Sequence, residues 1–400
     1  MADLIKDLTK ELHTQCMTMQ MGPSHPAMHG TVKLLIDIDG EDIHTVIPEV
    51  GYLHRGFEKM CENSTYHQVI PYTDRLNYVS PFINNVGYVM AVEKMLGIET
   101  PERCQYLRVL ASEISRLTDH LTCVGASAME LAAFTAMLYA IQGREWLWEL
   151  IESLCGARLT TTYTRIGGVA YDLPEGFRPQ TRKILDKVQS LIDDMRGLLE
   201  KNRIFYDRMR GTGVLNAEDC LAYGVTGPCL RAAGVYYDVR KAMPYLVYDR
   251  LDFEVPLGKA GDNYDKFMVR VFEMEQSIRI IDQVLAQMPE GPIAVDDPKV
   301  TLPPKEKVYN SIEGLVHHFN IIIKGIRPPK GEVYFAVEGG NGELGFYIVS
   351  DGSEKPWKCR CRPPCFPIVE AMPKMLEGAM IADIIPTFGM VNMIGGEMDR

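Results

Sequence analysis

Apolar residues recur at helical spacing through the middle of the chain, where they predict a series of long helices. The predicted helices cover residues 84–96, 102–121, 129–154, 179–202 and 264–288. Gly97 is a typical residue just after a helix, and Pro101 is typical of a helix start. The pattern predicts a bundle of long helices with an apolar interior.

Near both ends of the chain, apolar and polar residues alternate, which is typical of strands. Residues 31–38 and 43–47 flank Asp39-Gly40, a strong hairpin signal. A second hairpin is predicted near the C-terminus, over residues 332–338 and 344–349. The expected fold class is therefore α+β, a central long-helix bundle with β-hairpin elements near the N- and C-terminal ends.

The remaining segments complete a predicted division into three regions. Residues 1–14 read as a polar helix or arm, a Pro- and Asp-rich connector covers 289–304, and a helix is predicted over 306–323, with two short helices before the C-terminus. The regions are an N-terminal hairpin region (1–70), the helical bundle (71–300) and a C-terminal α/β region (301–400) that packs back on the bundle.

Composition and charge exclude several classes of protein. The net charge is -11 and no basic stripe is present, which argues against nucleic-acid binding. No apolar run reaches the roughly 18 residues of a membrane-spanning helix. The N-terminus is acidic and has no hydrophobic core, so neither a secretory signal nor a transit peptide is predicted. Ten scattered cysteines favour a reducing compartment.

Common catalytic motifs are missing from the sequence. It has no P-loop, no G-x-G-x-x-G, no G-x-S-x-G and no H-E-x-x-H. Cys359, Cys361 and Cys365 form its only dense cysteine cluster. A closed zinc site needs four ligands and no partner pair lies nearby, so reduced thiols on a basic loop are the preferred interpretation.

The stretch Gly22-Pro23-Ser24-His25-Pro26-Ala27-Met28-His29-Gly30 predicts a shaped loop between two strands. Its prolines fix φ and its end glycines permit unusual φ values, so a helix is disfavoured. The loop would present His25 and His29, whose imidazoles change charge near neutral pH. The alternative is a turn whose histidines only hydrogen-bond to the backbone.

The remaining chemistry points to proton donation. The candidate donors and their supporting carboxylates are His25, His29, His54, Tyr72 and Tyr78 with Asp74 and Glu130. Tyrosine and histidine together can deliver two protons and then be recharged by a carboxylate. The alternative for Tyr78 is an ordinary core tyrosine.

Several motifs, in order along essentially the whole chain, resemble the 49-kDa (D) subunit family of proton-translocating NADH–quinone oxidoreductase, which is respiratory complex I. They are Gly22-Pro23-x-His25-Pro26-x-x-His29-Gly30, Gly51-x-Leu53-His54-Arg55-Gly56-x-Glu58-Lys59, Asp74-Arg75-Leu76-x-Tyr78-Val79-Ser80, Glu113-Ile114-x-Arg116-Leu117, Gly156-Ala157-Arg158, Gly167-Gly168-Val169 and Gly396-Glu397-x-Asp399-Arg400. The resemblance implies that the chain is the quinone-site core subunit of an enzyme that couples quinone reduction to proton pumping.

The resemblance assigns roles to individual residues. His29 and Tyr78 would bracket the quinone headgroup and donate protons to it. His25, Glu130 and Asp74 would support the quinone site and its proton relay. Arg55 and Thr160 would lie near the terminal iron–sulfur cluster of the neighbouring subunit. Quinone would be the substrate, and this chain alone would bind no metal or other cofactor.

The resemblance also implies partners, a location and a distant relative. The partners would be the other complex I subunits, namely the iron–sulfur B subunit of the quinone site, the C subunit and the membrane H subunit. The chain would be peripheral, on the cytoplasmic side of the inner membrane. The distant relatives are nickel–iron hydrogenase large subunits. Those hold their metals with two Cys-x-x-Cys pairs, which are missing here at Leu53-His54-Arg55-Gly56 and at the C-terminus, so no nickel centre is expected.

Two positions depart from the family pattern. Many members have Asp where this chain has Glu130, and many have His where it has Thr160. Because threonine does not titrate, the neighbouring cluster's potential is expected to depend less on pH. Two other readings stay open: a non-catalytic scaffold subunit of the same complex, and a membrane-bound hydrogenase large subunit, which the missing cysteines disfavour.

Overall fold

An antiparallel sheet opens the fold. The structure is a computed structural model that describes residues 16–400, so the predicted arm over residues 1–14 lies outside the described part. The sheet consists of β1 (Met17–Met21), β2 (Lys33–Asp39) and β3 (Asp42–Glu49), in that order. Side chains of β2 are alternately buried, as the sequence pattern predicts, and the hairpin between β2 and β3 is confirmed.

Helices dominate the middle of the chain. They are α1 (Phe57–Asn63), α2 (Tyr66–Thr73), α3 (Pro81–Leu96), α4 (Glu102–Glu130), α5 (Phe134–Cys155), α6 (Phe177–Leu199), α7 (Arg203–Met209), α8 (Ala217–Tyr223), α9 (Pro228–Ala232), α10 (Val239–Ala242) and α11 (Asn263–Gln287). A small ribbon, β4 (Thr164–Arg165) with β5 (Gly168–Val169), lies between α5 and α6. The 29-residue α4 packs against α3, α5 and α11, so the predicted bundle is confirmed.

One predicted helix boundary inside the bundle is wrong. The helix predicted over 129–154 begins only at Phe134, and Glu130 instead ends α4. The chain turns at Ala132, whose φ is +63°, and no glycine or proline marks this turn in the sequence. Glu130 therefore lies at a helix end, where its side chain can reach a neighbouring loop.

The C-terminal part differs more from the prediction. The helix predicted over 306–323 is broken into α12 (Lys305–Asn310), α13 (Ile312–Phe319) and a π-helical turn at Asn320–Lys324. The break falls at Ser311, whose backbone is extended and whose hydroxyl accepts a hydrogen bond from the Gly314 amide at 3.4 Å.

A second antiparallel sheet follows, with a strand that the prediction missed. The predicted hairpin is confirmed as β6 (Gly331–Glu338) and β7 (Glu343–Ser350), and β8 (Lys358–Arg362) extends it. Cys359 and Cys361 alternate with charged side chains on β8 and are buried. The prediction of a basic loop at these thiols is therefore wrong, because they lie on a strand and point into the core.

The chain ends in short helices that pack on the N-terminal sheet. They are α14 (Cys365–Glu370), α15 (Met372–Leu376), a 3-10 turn at Ile381–Asp383, α16 (Ile384–Val391) and α17 (Gly395–Asp399), where two helices were predicted. The Ile43 amide of β3 donates to the Ala379 carbonyl at 2.9 Å. This contact joins the N-terminal sheet to the C-terminal part of the chain, and the 3-10 turn of the 22–30 loop contacts α16. The three-region division stays a prediction.

Candidate proton-donor site

The loop over residues 22–30 has the shaped geometry that its prolines and glycines predict. Gly22 has a φ of +87°, and a Cβ there would lie 2.2 Å from the Val32 carbonyl oxygen, so only glycine fits. Nδ1 of His25 accepts a hydrogen bond from the Ala27 amide at 3.2 Å and caps a 3-10 turn over Pro26–Met28. For His25, the structure shows the backbone-bonded arrangement of the alternative reading.

His29 faces a carboxylate instead of the backbone. It follows the 3-10 turn in a left-handed conformation, and its Nε2 lies 2.7 Å from Oε1 of Glu130. The His29 side chain is 42% exposed, whereas that of Glu130 is 9% exposed. The pair is thus an imidazole open to the surface and backed by a largely buried carboxylate, which is the arrangement of a rechargeable proton donor.

Helix α16 forms the wall behind this pair. The ring of Phe388 meets the His29 ring edge-on, with 5.4 Å between centroids. Gly389 leaves room for the carboxylate, since a Cβ there would lie 2.4 Å from Oε2 of Glu130. The extra methylene of Glu130, compared with aspartate, is therefore accommodated by a close backbone approach.

Tyr78 lies on the segment between α2 and α3 and is 40% exposed. Burial raises the pKa of Tyr78, electrostatic interactions with Cys365 and Asp119 raise it further, and Arg55 opposes them. The phenol is therefore held in its protonated form over the neutral range. A protonated phenol that is open to the surface can donate a proton, whereas a fully enclosed core tyrosine cannot reach a ligand.

The segment of Tyr78 is attached to α4 through Asp119, which the sequence reasoning missed. Asn77 and Ser80 both donate to Oδ2 of Asp119, at 2.7 and 2.9 Å. Asn392, at the end of α16, donates to Oδ1 at 2.9 Å. A polar residue among the apolar positions of α4 was the available signal, because a buried carboxylate requires partners.

Arg55 lies next to the same segment. Its guanidinium donates to the carbonyls of Arg75, at 2.6 Å, and Gly396, at 3.1 Å. Partial burial lowers the pKa of Arg55, and the charge of Arg75 lowers it further. Arg55 is exposed and therefore presents a cation at the surface near Tyr78.

The C-terminus closes over the loop that carries Arg55. Nδ1 of His54 donates to the backbone carbonyl of Asp399 at 2.7 Å. The Asp399 carboxylate accepts from the amides of Gly51 and Leu53 at 2.9 and 2.8 Å. His54 is thereby used in a structural contact.

Asp74 and Thr160 belong to another corner of the site. Asp74 is fully buried and accepts hydrogen bonds from the backbone amide and hydroxyl of Thr162, at 3.1 and 2.5 Å. Burial raises the pKa of Asp74, and its hydrogen bonds with Thr162 and Asn85 oppose that rise. Asp74 thus fixes the loop that carries the exposed residue Thr160. The hydrogen bonds of Asp74 do not lead to the His29–Glu130 pair. Tyr72, on α2, packs partly buried against the main core.

A network of buried charges inside the bundle was also missed. Glu113 accepts hydrogen bonds from Arg116, Arg240, Tyr248 and Ser277 and is fully buried, as are both arginines. The two guanidinium groups lower the pKa of Glu113 against the opposing effect of burial. Such a network is stable only when every charge is paired.

Neither a metal cluster nor a disulfide is found within residues 16–400. Their ten cysteines are free, and no group of three or more His, Cys, Asp or Glu side chains is arranged to hold an ion. Burial raises the pKa of the Cys361 and Cys365 thiols. In the same range, no helix combines the length and apolarity needed to cross a bilayer.

Comparison with known proteins decides the family. Residues 130–400 match the family model described as respiratory-chain NADH dehydrogenase, 49 Kd subunit. The NADH-quinone oxidoreductase D subunit of Myxococcus xanthus is 55% identical over 394 residues, which cover 98% of this chain and 95% of that protein. The chain belongs to the 49-kDa subunit family. The resemblance read from the sequence motifs is therefore confirmed.

Other members of the 49-kDa subunit family are similar over the same length. An NADH-quinone oxidoreductase D subunit of Sorangium cellulosum is 54% identical over 391 residues, covering 98% of this chain and 97% of that protein. The D subunit of Geobacter sulfurreducens is 48% identical over 387 residues, covering 97% and 99%. In this 49-kDa family member, the N-terminal motifs meet distant parts of the chain, since His29 contacts Glu130 and Arg55 contacts Gly396.

Proposed function

We propose that this chain forms the quinone-reducing site of NADH–quinone oxidoreductase, with His29 and Tyr78 as the proton donors. As a member of the 49-kDa family, the chain is a core subunit of that enzyme, and the oxidoreductase activity belongs to the assembled complex. The observation that carries the site assignment is the 2.7 Å contact between the exposed His29 imidazole and the buried Glu130 carboxylate.

Quinone reduction needs a proton donor at each of the two carbonyl oxygens. Conversion of a quinone to its quinol consumes two electrons and two protons, and negative charge develops on both carbonyl oxygens. A phenol on one oxygen and an imidazole on the other stabilise that charge and then transfer their protons. After the transfer, Glu130 would take up a proton from solvent and pass it to His29, and the raised pKa of Tyr78 keeps its proton in place until the quinone is reduced.

The neighbouring residues take supporting roles in this proposal. His25 shapes the loop through its contact with Ala27, and Asp74 fixes the loop of Thr160 through Thr162. Arg55 and Thr160, both exposed, would face the terminal iron–sulfur cluster, where a cation favours the reduced state. That cluster would lie in the iron–sulfur B subunit, which would supply the electrons and complete the quinone cavity.

Partners and location belong to the same proposal. The C subunit and the membrane H subunit would be the other neighbours, and the chain would lie at the cytoplasmic face of the inner membrane. The loop over residues 22–30 would couple quinone reduction to proton pumping by a change of charge or conformation. A hydrogenase-like fold is supported by the contact between Arg55 and Gly396, since the two cysteine-pair positions of the hydrogenases lie in these two segments.

The test is quinone reduction by membranes that carry Tyr78→Phe, with complex assembly checked on a native gel. The change removes one hydroxyl and little volume, so turnover is expected to fall at least about a hundredfold while the clusters still reduce. Tyr206→Phe is the matched control, because Tyr206 is 38% exposed and lies on α7, outside the site.

The result separates the quinone-site proposal from a scaffold role. A scaffold subunit would tolerate Tyr78→Phe as well as it tolerates Tyr206→Phe. Unchanged turnover in an assembled Tyr78→Phe complex would therefore remove the catalytic role from Tyr78.

A further inference from the structure

Asp119 is a fully buried carboxylate in the middle of α4 that holds two separate segments through three hydrogen bonds. Its Oδ2 accepts from Asn77 and Ser80, and its Oδ1 accepts from Asn392. The buried guanidinium of Arg270 lies near enough to interact electrostatically with Asp119, but the hydrogen bonds come from neutral donors. Losing one of them leaves an oxygen of the buried carboxylate without a partner, which costs free energy.

Two of these hydrogen bonds flank Tyr78. Asn77 precedes it by one residue and Ser80 follows it by two. The neighbouring Thr118 hydroxyl also donates to the Val79 carbonyl, at 3.0 Å. One turn of α4 thus fixes the backbone on both sides of the phenol.

The third hydrogen bond leads to the His29–Glu130 pair. Asn392 ends α16 in a left-handed conformation with φ 51°. The same helix carries Phe388, which packs on the His29 ring, and Gly389, which packs on the Glu130 carboxylate. The position of α16 therefore determines where the imidazole lies.

Asp119 has little freedom to shift. A Cβ built on Gly340 would lie 2.1 Å from its Oδ2, so the backbone of residue 340 already closes that side of the carboxylate. The carboxylate is thus a fixed point shared by the Tyr78 segment and α16.

We propose that Asp119 is a positioning residue for quinone reduction, which sets the Tyr78 hydroxyl and the His29 imidazole at the separation that a quinone headgroup requires. Asp119 touches neither proton donor through a hydrogen bond, so it acts through their supports. This role rests on the proposed function, because it presumes that Tyr78 donates a proton.

The experiment compares Asp119→Asn, Tyr78→Phe and the double variant in membranes that contain the assembled complex. Asparagine keeps the volume but removes the charge and one acceptor oxygen. Misplacing a donor by about 1 Å can cost up to about a hundredfold, so Asp119→Asn is expected to lower kcat ten- to a hundredfold. Reduction of the clusters by NADH should be unchanged.

The double variant separates positioning from general damage. The part of the Asp119→Asn loss that acts through Tyr78 disappears once the hydroxyl is gone, so Asp119→Asn should cost several-fold less in the Tyr78→Phe background than in the wild type. The remaining loss is the part that acts through His29. Glu93→Gln is the matched control, because Glu93 is also a buried carboxylate and is paired with Arg108. It lies near the far end of α3, about 20 Å along the helix from Ser80. Turnover per assembled Glu93→Gln complex should equal that of the wild type.

The outcomes distinguish the two proposals. Normal turnover of Tyr78→Phe would refute the proposed function itself. A collapse of Tyr78→Phe with normal turnover of Asp119→Asn would overturn only the positioning role, and so would losses that multiply in the double variant.

A second pair of variants applies if Asp119→Asn does not assemble. Ser80→Ala and Asn392→Gly each remove one hydrogen bond to Asp119, and glycine retains the left-handed conformation at residue 392. Each should lower kcat severalfold in the wild type, and Ser80→Ala should add little to Tyr78→Phe. Asn392→Gly acts through α16 and His29, so its loss should persist in the Tyr78→Phe background. Full turnover of both would overturn the positioning role.

Discussion

Shortening Glu130 to aspartate should impair the site, even though the acid itself is kept. Glu130 ends α4, and its Oε1 lies 2.7 Å from Nε2 of His29. Removing one methylene withdraws the carboxylate by about 1.5 Å, to about 4 Å from the imidazole, beyond hydrogen-bond range. The imidazole cannot follow, because Met28 next to it is fully buried and Phe388 packs against its ring.

The magnitude follows from the kind of bond that is lost. A hydrogen bond with a charged partner contributes about 1.5 to 3 kcal/mol, and the 42% exposure of the His29 side chain places this pair at the lower end. A loss of about 1.5 kcal/mol in the transition state corresponds to about a tenfold lower turnover. The expected result for Glu130→Asp is therefore about one tenth of the wild-type quinone reduction.

The assay is NADH-driven quinone reduction by membranes, normalised to assembled complex. Glu130→Gln is the companion variant, because it keeps the length and the hydrogen bond but removes the charge. If Glu130→Asp retains wild-type turnover while Glu130→Gln is impaired, only charge is required and the argument from reach is refuted.

Three further changes test other parts of the site. Gly389→Ala places a Cβ 2.4 Å from Oε2 of Glu130, so it should cost about 1 to 3 kcal/mol of stability and lower turnover. The control is Gly197→Ala, in an open position on α6, which should leave thermal unfolding and turnover intact. Equal behaviour of the two variants would contradict the close approach of Gly389 to Glu130. Burial raises the pKa of Glu397 from 4.5 to about 7. The wild type should therefore lose stability relative to Glu397→Gln as the pH rises from about 4.5 to 7, and the loss should reach about 3 kcal/mol above pH 7. A difference in unfolding free energy that does not change with pH would contradict the raised pKa. If Thr160 faces the terminal iron–sulfur cluster as proposed, Thr160→His, at an exposed position, should add pH dependence to the potential of that cluster. A potentiometric titration that already shows a full slope with Thr160 would count against this role.

Local chemistry determines the parts of the fold that the sequence predicts well. The hairpin of β2 and β3 forms where Asp39-Gly40 predicts it, although Asp39 still pairs with Asp42 and the turn residues are Gly40 and Glu41. Gly97 ends α3 in a left-handed conformation as predicted. The 22–30 loop could also be predicted, because proline and glycine restrict the backbone directly.

The missed features depend on contacts between distant segments. The turn at Ala132 has no local signal, so the sequence pattern predicts Glu130 inside the next helix and not at the end of α4. The sequence of strand β8 resembles a basic loop, because lysine and arginine alternate with its cysteines. Its strand structure depends on pairing with β7, which turns Cys359 and Cys361 toward the core. The partners of Asp119 lie 39 to 273 positions away, and no sequence spacing connects them.

The most direct test of the account is to locate the quinone headgroup on this chain. A quinone that carries a photoreactive azide on its headgroup would be cross-linked in the assembled complex, and the labelled peptides would be identified by mass spectrometry. The account predicts label on the peptides of His29 and Tyr78, prevented by excess native quinone. Label that native quinone prevents, but that falls only on peptides remote from both residues, would contradict the quinone site proposed for this chain.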